Sequence, residues 1–479
     1  MDSFDLLVVG GGINGTAVAR DAAGRGLKVL LVEKDDLASH TSSASSKLAH
    51  GGLRYLERGE FRLVRESLSE REVLLRNVPH IVRPLRFILP DAPAMRAWSV
   101  IRLGLFVYDL FAIRGSLPRS RRVSRGDSAR MPLRDGASRR LLSYWDASVD
   151  DSRLVALNAL DAAERGAEIA TRTALLTASR DGDVWRADLS GGRTVAARAI
   201  VNASGSWVSE VLRQRIGGAA GAAPRLVRGS HIVVPRLWDE DHAYILQQPD
   251  GRVVFAMPFE GGTLIGTTDA DAAGPEDDAA TPQEIAYLCE AANRWFIRRL
   301  APADVIWSYA GIRALWGKGG SDAQAISRDY HLALDASPGA KLLSVFGGKL
   351  TGARALASEA LDRLGARGLK FTRTTPLPGG DVMPSFLAWL ETLSGWMPPD
   401  LLARLSRAYG TRLRELLGEA ASIKDLGRHF GHGLYEAEVA YLREKEFART
   451  ADDILWRRTK LGLRMSAAET KALERHLGD

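Results

Sequence analysis

An unbroken apolar run at residues 6–9 ends in Gly10-x-Gly12-x-x-Gly15, and Glu33 closes a second apolar run at residues 29–32. A strand, a glycine turn, a helix and a second strand in that order define a parallel βαβ unit and leave few other ways to fold the first stretch of chain. Each element of such a unit has a task. Gly10 permits the tight turn, Gly12 lets pyrophosphate approach backbone amides at the helix N-terminus, Gly15 allows close helix packing, and Glu33 can accept from the ribose hydroxyls of an adenosine. The pattern predicts a bound dinucleotide without separating FAD from NAD.

A chain of 479 residues exceeds what one hydrophobic core usually supports, so two or three structural regions are expected. The single cysteine, Cys289, excludes an intramolecular disulfide and a multi-cysteine metal site, suits a reducing cytoplasm, and reads as a small packed apolar residue. Acidic Asp2 and Asp5 stand where an export signal would carry basic residues. The most apolar long stretch, residues 97–113, is interrupted by Arg102 and Asp109 and falls short of the roughly 20 apolar residues a spanning helix needs. A net charge of +7 suits an anionic partner such as acidic lipid, nucleic acid or a phosphorylated substrate. Nucleic acid is set aside, because the arginines are spread among acidic residues and no zinc-finger or aromatic RNP motif is present.

Further along, residues 57–75 read as a charged helix, the prolines at 79, 84, 90 and 93 break the chain into loops, and residues 147–165 read as another helix. Strands are expected near 174–179, 184–189 and 199–203. Runs at 231–235, 243–247, 252–258 and 263–267 predict a meandering antiparallel sheet. Residues 342–346 return to a single buried strand, followed by Gly347, Gly348 and an alanine-rich helix. Leu402, Leu405, Tyr409, Leu413 and Leu416 share one helical face in a C-terminal helical region.

The preference for FAD rests on TSSASSKLAHGGLRYL (41–56), VNASGSW (201–207) and VFGGKLTGAR (345–354). Hydroxyl groups in the first can bond pyrophosphate and ribityl oxygens, and Gly51 and Gly52 let backbone approach a flat ring. The predicted cofactor contacts are Gly10, Gly12, Gly15, Glu33, Thr41, Ser42, Ser46, Lys47, Leu48, Gly205, Gly348, Lys349, Leu350 and Thr351.

With RGSHIVVPR (228–236), IGTTD (265–269), ISRDY (326–330) and ARTADDILWRRTKLG (448–462), these segments resemble the FAD-dependent glycerol-3-phosphate dehydrogenase family over nearly the whole chain. The resemblance implies an α/β fold. A Rossmann-like FAD-binding domain would be assembled from about 1–76, 145–225 and 320–375, an antiparallel substrate domain from about 77–144 and 226–319, and a helical domain from 381–479. It also implies noncovalent FAD, oxidation of sn-glycerol 3-phosphate to dihydroxyacetone phosphate, and electron delivery to membrane quinone. The expected location is cytoplasmic or peripheral on the inner face of the cytoplasmic membrane, and a homodimer is left open. Where such proteins usually carry proline after the arginine of GIRALW, this chain has Ala314, which predicts a loosened turn near Arg313.

Oxidising a secondary alcohol requires loss of its hydroxyl proton and transfer of the C2 hydride, while the phosphate is held. Guanidinium groups suit that last task, since their planar donors match phosphate oxygens and their charge is permanent. Arg54, Arg313 and Arg328 lie in motifs able to project them into a cleft. His50 is the favoured base and His231 a substrate contact or alternative base, and Lys349 can polarise flavin or pair with phosphate. Arg83, Arg86, Arg96 and Arg102 among Ile88, Leu89, Trp98, Ile101, Leu103 and Phe106 are compatible either with attachment to acidic lipid or with a helix of the substrate lobe. Two competing readings are an oxidase that passes electrons to oxygen and a non-catalytic flavin-binding protein.

Overall fold

The computed structural model describes residues 1–478 apart from 92–97, 114, 138, 218–222, 318–328 and 337; the side chains of Arg54, Glu57 and Arg58 also lie outside the description. Among the described residues, eight strands form a first sheet. Its main path runs His331–Asp335, Lys341–Phe346, Thr194–Asn202, Asp2–Val9, Val29–Val32, Glu168–Ala170. Asp2–Val9 pairs in parallel with both neighbours, as does Thr194–Asn202 with Lys341–Phe346. The hairpin Leu175–Asp181 and Val184–Leu189 joins antiparallel beside residues 194–197. One face packs on helices Ile13–Gly24, Asp151–Glu164 and Ala353–Leu364, and the other on the hairpin and Leu212 and Ile216.

Helix Ile13–Gly24 presents Ala17, Ala19, Ala22 and Ala23 inward, small enough to lie between the sheet and the almost wholly buried Asp151–Glu164. The approach at its start is closer still. A Cβ on Gly15 would sit 1.9 Å from the Gly10 carbonyl oxygen, and Gly10 itself, at φ +114°, would push a Cβ to 2.6 Å from the Ala203 oxygen. No other residue fits either position.

A second sheet of ten strands, again among the described residues, is ordered Ala270–Asp271, Arg225–Pro235, Gly262–Gly266, Val253–Phe259, His242–Gln247, Val82–Pro90, Leu141–Val149, Leu48–Ala49; Trp307–Leu315 also pairs with Arg225–Pro235, and Arg121–Arg122 with Leu141–Val149. The four predicted runs are antiparallel neighbours, but only His242–Gln247, Val253–Phe259 and Gly262–Gly266 form a meander: Arg225–Pro235 pairs with Gly262–Gly266 and not with the run that follows it, and Val82–Pro90 adds on the far side in parallel to His242–Gln247. Helix Pro282–Asn293 covers one face and turns its own Cys289 into the core between helix and sheet. Leu413, Tyr409, Leu405 and Leu416 lie in a separate C-terminal core that includes Leu434, Leu442, Ile454 and Leu473.

Three expectations fail for identifiable reasons. Residues 82–90 are a strand despite Pro84 and Pro90, because the neighbour on one side pairs only with Arg86, Phe87 and Ile88 and leaves both prolines without a ladder bond to make there. The helix expected from 147 starts at Asp151 after Asp150, whose carboxylate accepts from the Arg153 amide at 3.2 Å. The set read either as lipid-facing or as a helix of the substrate lobe is neither one helix nor one surface: Ile88 and Leu89 are buried in the strand, Arg86 is paired with Asp127, and Arg96 lies outside the described residues. What remains exposed is Arg83 on the strand and one face of helix Trp98–Phe111. Among the described residues, no helix is long and apolar enough to cross a membrane.

Candidate active site

A cavity of about 610 Å³ lies where the two sheets meet. On the wall given by the first sheet, Glu33 follows the strand Val29–Val32 and folds back on the glycine turn: its carboxylate accepts from the Gly11 amide at 2.6 Å and the Asp35 amide at 2.9 Å. Burial pushes this carboxyl up, against the pull of those two amides. Gly10 and Gly12 face the cavity, whereas Gly15 stands behind them as a packing residue. The Ile13 amide at the helix start donates to Ser42 Oγ at 3.0 Å, which ties the hydroxyl-rich loop to the glycine turn. Asn14 Nδ2 donates to the Gly347 carbonyl at 3.1 Å and so joins the two strand-to-helix turns.

Thr41, Ser42, Ser46, Leu48, Gly205, Gly348, Lys349, Leu350 and Thr351 all line the cavity. Thr41 and Ser206 each donate to the Ile312 carbonyl, at 2.7 and 2.8 Å, so two separate loops beside the first sheet grip the strand that carries Arg313. Lys47 departs from the prediction. It is buried away from the cavity, with Nζ donating to both Asp151 oxygens at 2.9 and 2.7 Å and also to the Ser43 carbonyl. Together with Ser45, which donates to Asp151 at 2.7 Å, it fixes the loop from behind.

On the wall from the second sheet stand His50, Tyr55, Phe255, Thr267, Asp269 and Arg313. Strand pairing of Leu48–Ala49 with Leu141–Val149 delivers His50, whose ring lies 6.4 Å from that of Phe255. Arg313 sits within the strand Trp307–Leu315, with Ala314 opposite Leu226, so the turn expected to loosen there does not exist. Its guanidinium donates to Asp269 at 2.5 Å and to Thr267 Oγ1 at 3.0 Å. Lys349 Nζ lies 3.7 Å from the centre of the Tyr55 ring. Asp269, Thr267 and Tyr55 were missed as site residues, although IGTTD and LRYL already contained them.

His231 is displaced from its predicted role. It is 1 % exposed, stands behind the cavity wall, and bonds through Nε2 to Ser46 Oγ at 2.9 Å with its ring stacked 4.8 Å from Tyr309. Burial, reinforced by the charges of Arg313 and Lys47, holds its imidazole well below the usual histidine range and therefore neutral. The backbone of Arg54 belongs to the short helix Leu53–Arg58, but its side chain lies outside the described residues, as does all of Arg328.

The donor set suits a flavin dinucleotide: backbone amides and hydroxyls along a groove, a ribose-accepting carboxylate on one wall, and cations with a histidine on the other. A family model described as FAD dependent oxidoreductase matches residues 5–354, and one described as the C-terminal domain of alpha-glycerophosphate oxidase matches 370–477. The chain is 48% identical to a glycerol-3-phosphate dehydrogenase of Pseudomonas aeruginosa, over 99% of this chain and 95% of that protein. It is 47% identical to a D-erythritol 1-phosphate dehydrogenase of Brucella abortus, over 98% of this chain and 97% of that one. A glycerol-3-phosphate dehydrogenase from Bacillus halodurans, solved with FAD, superposes with a TM-score of 0.72 at 26% identity, covering 99% of this chain and 94% of that one. The chain belongs to the FAD-dependent oxidoreductase family, takes FAD as its cofactor, and carries the C-terminal domain found in alpha-glycerophosphate oxidase.

Proposed function

We propose that the protein oxidises sn-glycerol 3-phosphate to dihydroxyacetone phosphate and passes the electrons to membrane quinone. The observation that carries this reading is Arg313, a permanently charged guanidinium held by Asp269 and Thr267 on the same cavity wall as His50, close to the flavin-binding loop. Bound FAD supplies a hydride acceptor. Arg313, with Arg54 and Arg328, holds the phosphate; Lys349 adds positive charge where an alkoxide develops. The His50 imidazole takes the proton of the C2 hydroxyl as the C2 hydride leaves, so the alcohol loses two electrons and two hydrogens and becomes a ketone. Ser46, oriented by His231, would hold the flavin half of the cofactor through its hydroxyl. Thr41, Ser42, Leu48, Gly205, Gly348, Leu350 and Thr351 complete its cradle.

A four-carbon polyol phosphate is the second reading, favoured by the near-equal similarity to the erythritol phosphate enzyme. Comparing kcat/KM for the two alcohol phosphates decides between them. For the acceptor, reduction of a soluble quinone analogue at the expense of peroxide release is expected, and stoichiometric peroxide in the presence of the analogue contradicts it. We place peripheral attachment on helix Trp98–Phe111, where Leu103 is 63 % and Phe106 59 % exposed beside Arg102. Sedimentation with acidic vesicles is expected and should weaken with salt; an unchanged supernatant contradicts it.

A further inference from the structure

Residues 448–462 stand outside the walls of the FAD cavity, although they make up the most distinctive motif of the C-terminal region. Their contacts are concentrated elsewhere. Arg458 reaches Asp36 with both prongs of its guanidinium, at 2.8 Å each, and Arg457 Nε adds a third bond to the same carboxylate at 2.7 Å. The side chains of Arg458 and Asp36 are each 1 % exposed. From the other direction Arg172 Nη2 donates to both oxygens of Asp453, at 2.9 and 2.8 Å, while the Arg449 and Thr450 amides hold that carboxylate in place.

Asp36 and Arg172 lie on two neighbouring segments, residues 33–36 and 171–173, which are bonded to each other, and the backbone explains what they control. The Arg172 amide donates to the Asp35 carbonyl at 2.8 Å, the Thr173 amide to the Glu33 carbonyl at 2.7 Å, and the Asp35 amide to the Glu33 carboxylate at 2.9 Å. Glu33 and Thr173 both line the FAD cavity. A single turn of the C-terminal domain, Asp453–Arg458, therefore grips both of the segments that aim the ribose-accepting carboxylate. Docking of the C-terminal domain is also served by the Glu446 carboxylate, which pairs with Arg153 on helix Asp151–Glu164, while the Glu446 carbonyl accepts from Arg458 at 2.8 Å.

We infer that the C-terminal domain acts as a clamp on the adenosine side of the FAD site, with Asp453, Arg457 and Arg458 as positioning residues for the cofactor. The clamp explains why cation and anion alternate along the motif: it must hold Asp36 and Arg172 with opposite charges. It depends on FAD binding and not on which alcohol is oxidised, so failure of the substrate assignment leaves it standing.

The test is titration of apoprotein with FAD, followed by quenching of flavin fluorescence, beside the thermal midpoint of each apoprotein. Asp36→Asn and Arg457→Gln are each expected to raise the FAD Kd by about tenfold or more, since each removes charged hydrogen bonds worth roughly that much. ADP, which carries only the adenosine and pyrophosphate half, should weaken by the same factor as FAD. The double variant should lose less than the product of the two single losses, because both act on one carboxylate. Glu446→Gln, which loosens the other bridge, should lower the thermal midpoint with FAD Kd within about twofold of the parent. An unchanged FAD Kd in Arg457→Gln, the more accessible of the two positions, would overturn the inference. So would an equal loss of FAD affinity in Glu446→Gln, which would reduce the contact to domain docking.

Discussion

The two walls of the FAD cavity are built on different principles. The wall from the first sheet relies on backbone: amides of the glycine turn, the packing forced by Gly15 against Gly10 within one βαβ unit, and the close approach of Gly10 to Ala203 on the neighbouring strand end. The wall from the second sheet uses side chains brought from residues 50, 55, 267, 269 and 313, from strands and turns far apart in the chain. Local sequence order specifies the first wall almost completely, so it tolerates little substitution. The second is fixed by long-range pairing, and its residues can be exchanged to change the alcohol while the fold and cofactor are kept.

The largest effect expected is on the first wall. Gly15→Val places side-chain atoms against the Gly10 carbonyl, where even a Cβ has only 1.9 Å, and should yield a colourless protein without measurable FAD binding by absorbance. A yellow Gly15→Val protein would break the claim that this wall is set by backbone contact. On the second wall the cofactor should survive substitution. His50→Ala is expected to lower kcat by about 10²- to 10⁴-fold with the flavin spectrum retained, as rapid kinetics of flavin reduction would show. Arg313→Gln removes the guanidinium held by Asp269 and Thr267 and should raise KM for the phosphorylated alcohol by roughly 10- to 100-fold, with less effect on kcat.

The smallest effect concerns His231, behind both walls. Its imidazole is held below its ordinary pKa of 6.5 in the folded protein, so the unfolded chain binds the extra proton. Its stabilising contribution is therefore present above about pH 6.5 and is lost progressively on acidification, by about 1 kcal/mol at pH 5.5. Thermal melts from pH 8 to 5.5 should show His231→Asn with a shallower acid decline than the parent. Equal slopes would mean that His231 is protonated in place.

The same contrast decides what could be read from the chain beforehand. The glycine turn, Glu33 and the strand at Lys341–Phe346 were legible because apolar runs and glycines operate over a few residues. The hydroxyl loop was legible as a cofactor segment, but not the inward turn of Lys47 to Asp151, which depends on a helix more than 100 positions away. Pro84 misled because a strand flanked on only one side at that residue is a tertiary fact. His231 and Asp269 were both inside quoted motifs, yet which one faces the cavity follows from the pairing of Arg225–Pro235 with Gly262–Gly266 and Trp307–Leu315, and no periodicity reports it.

Anaerobic addition of sn-glycerol 3-phosphate to the purified yellow protein tests most directly whether the cationic wall delivers a phosphorylated alcohol to FAD. Bleaching of the oxidised flavin absorption by one equivalent of glycerol 3-phosphate, with glycerol at the same concentration leaving it unchanged, is the result predicted here. Equal bleaching by glycerol, or none by any polyol phosphate, would contradict it.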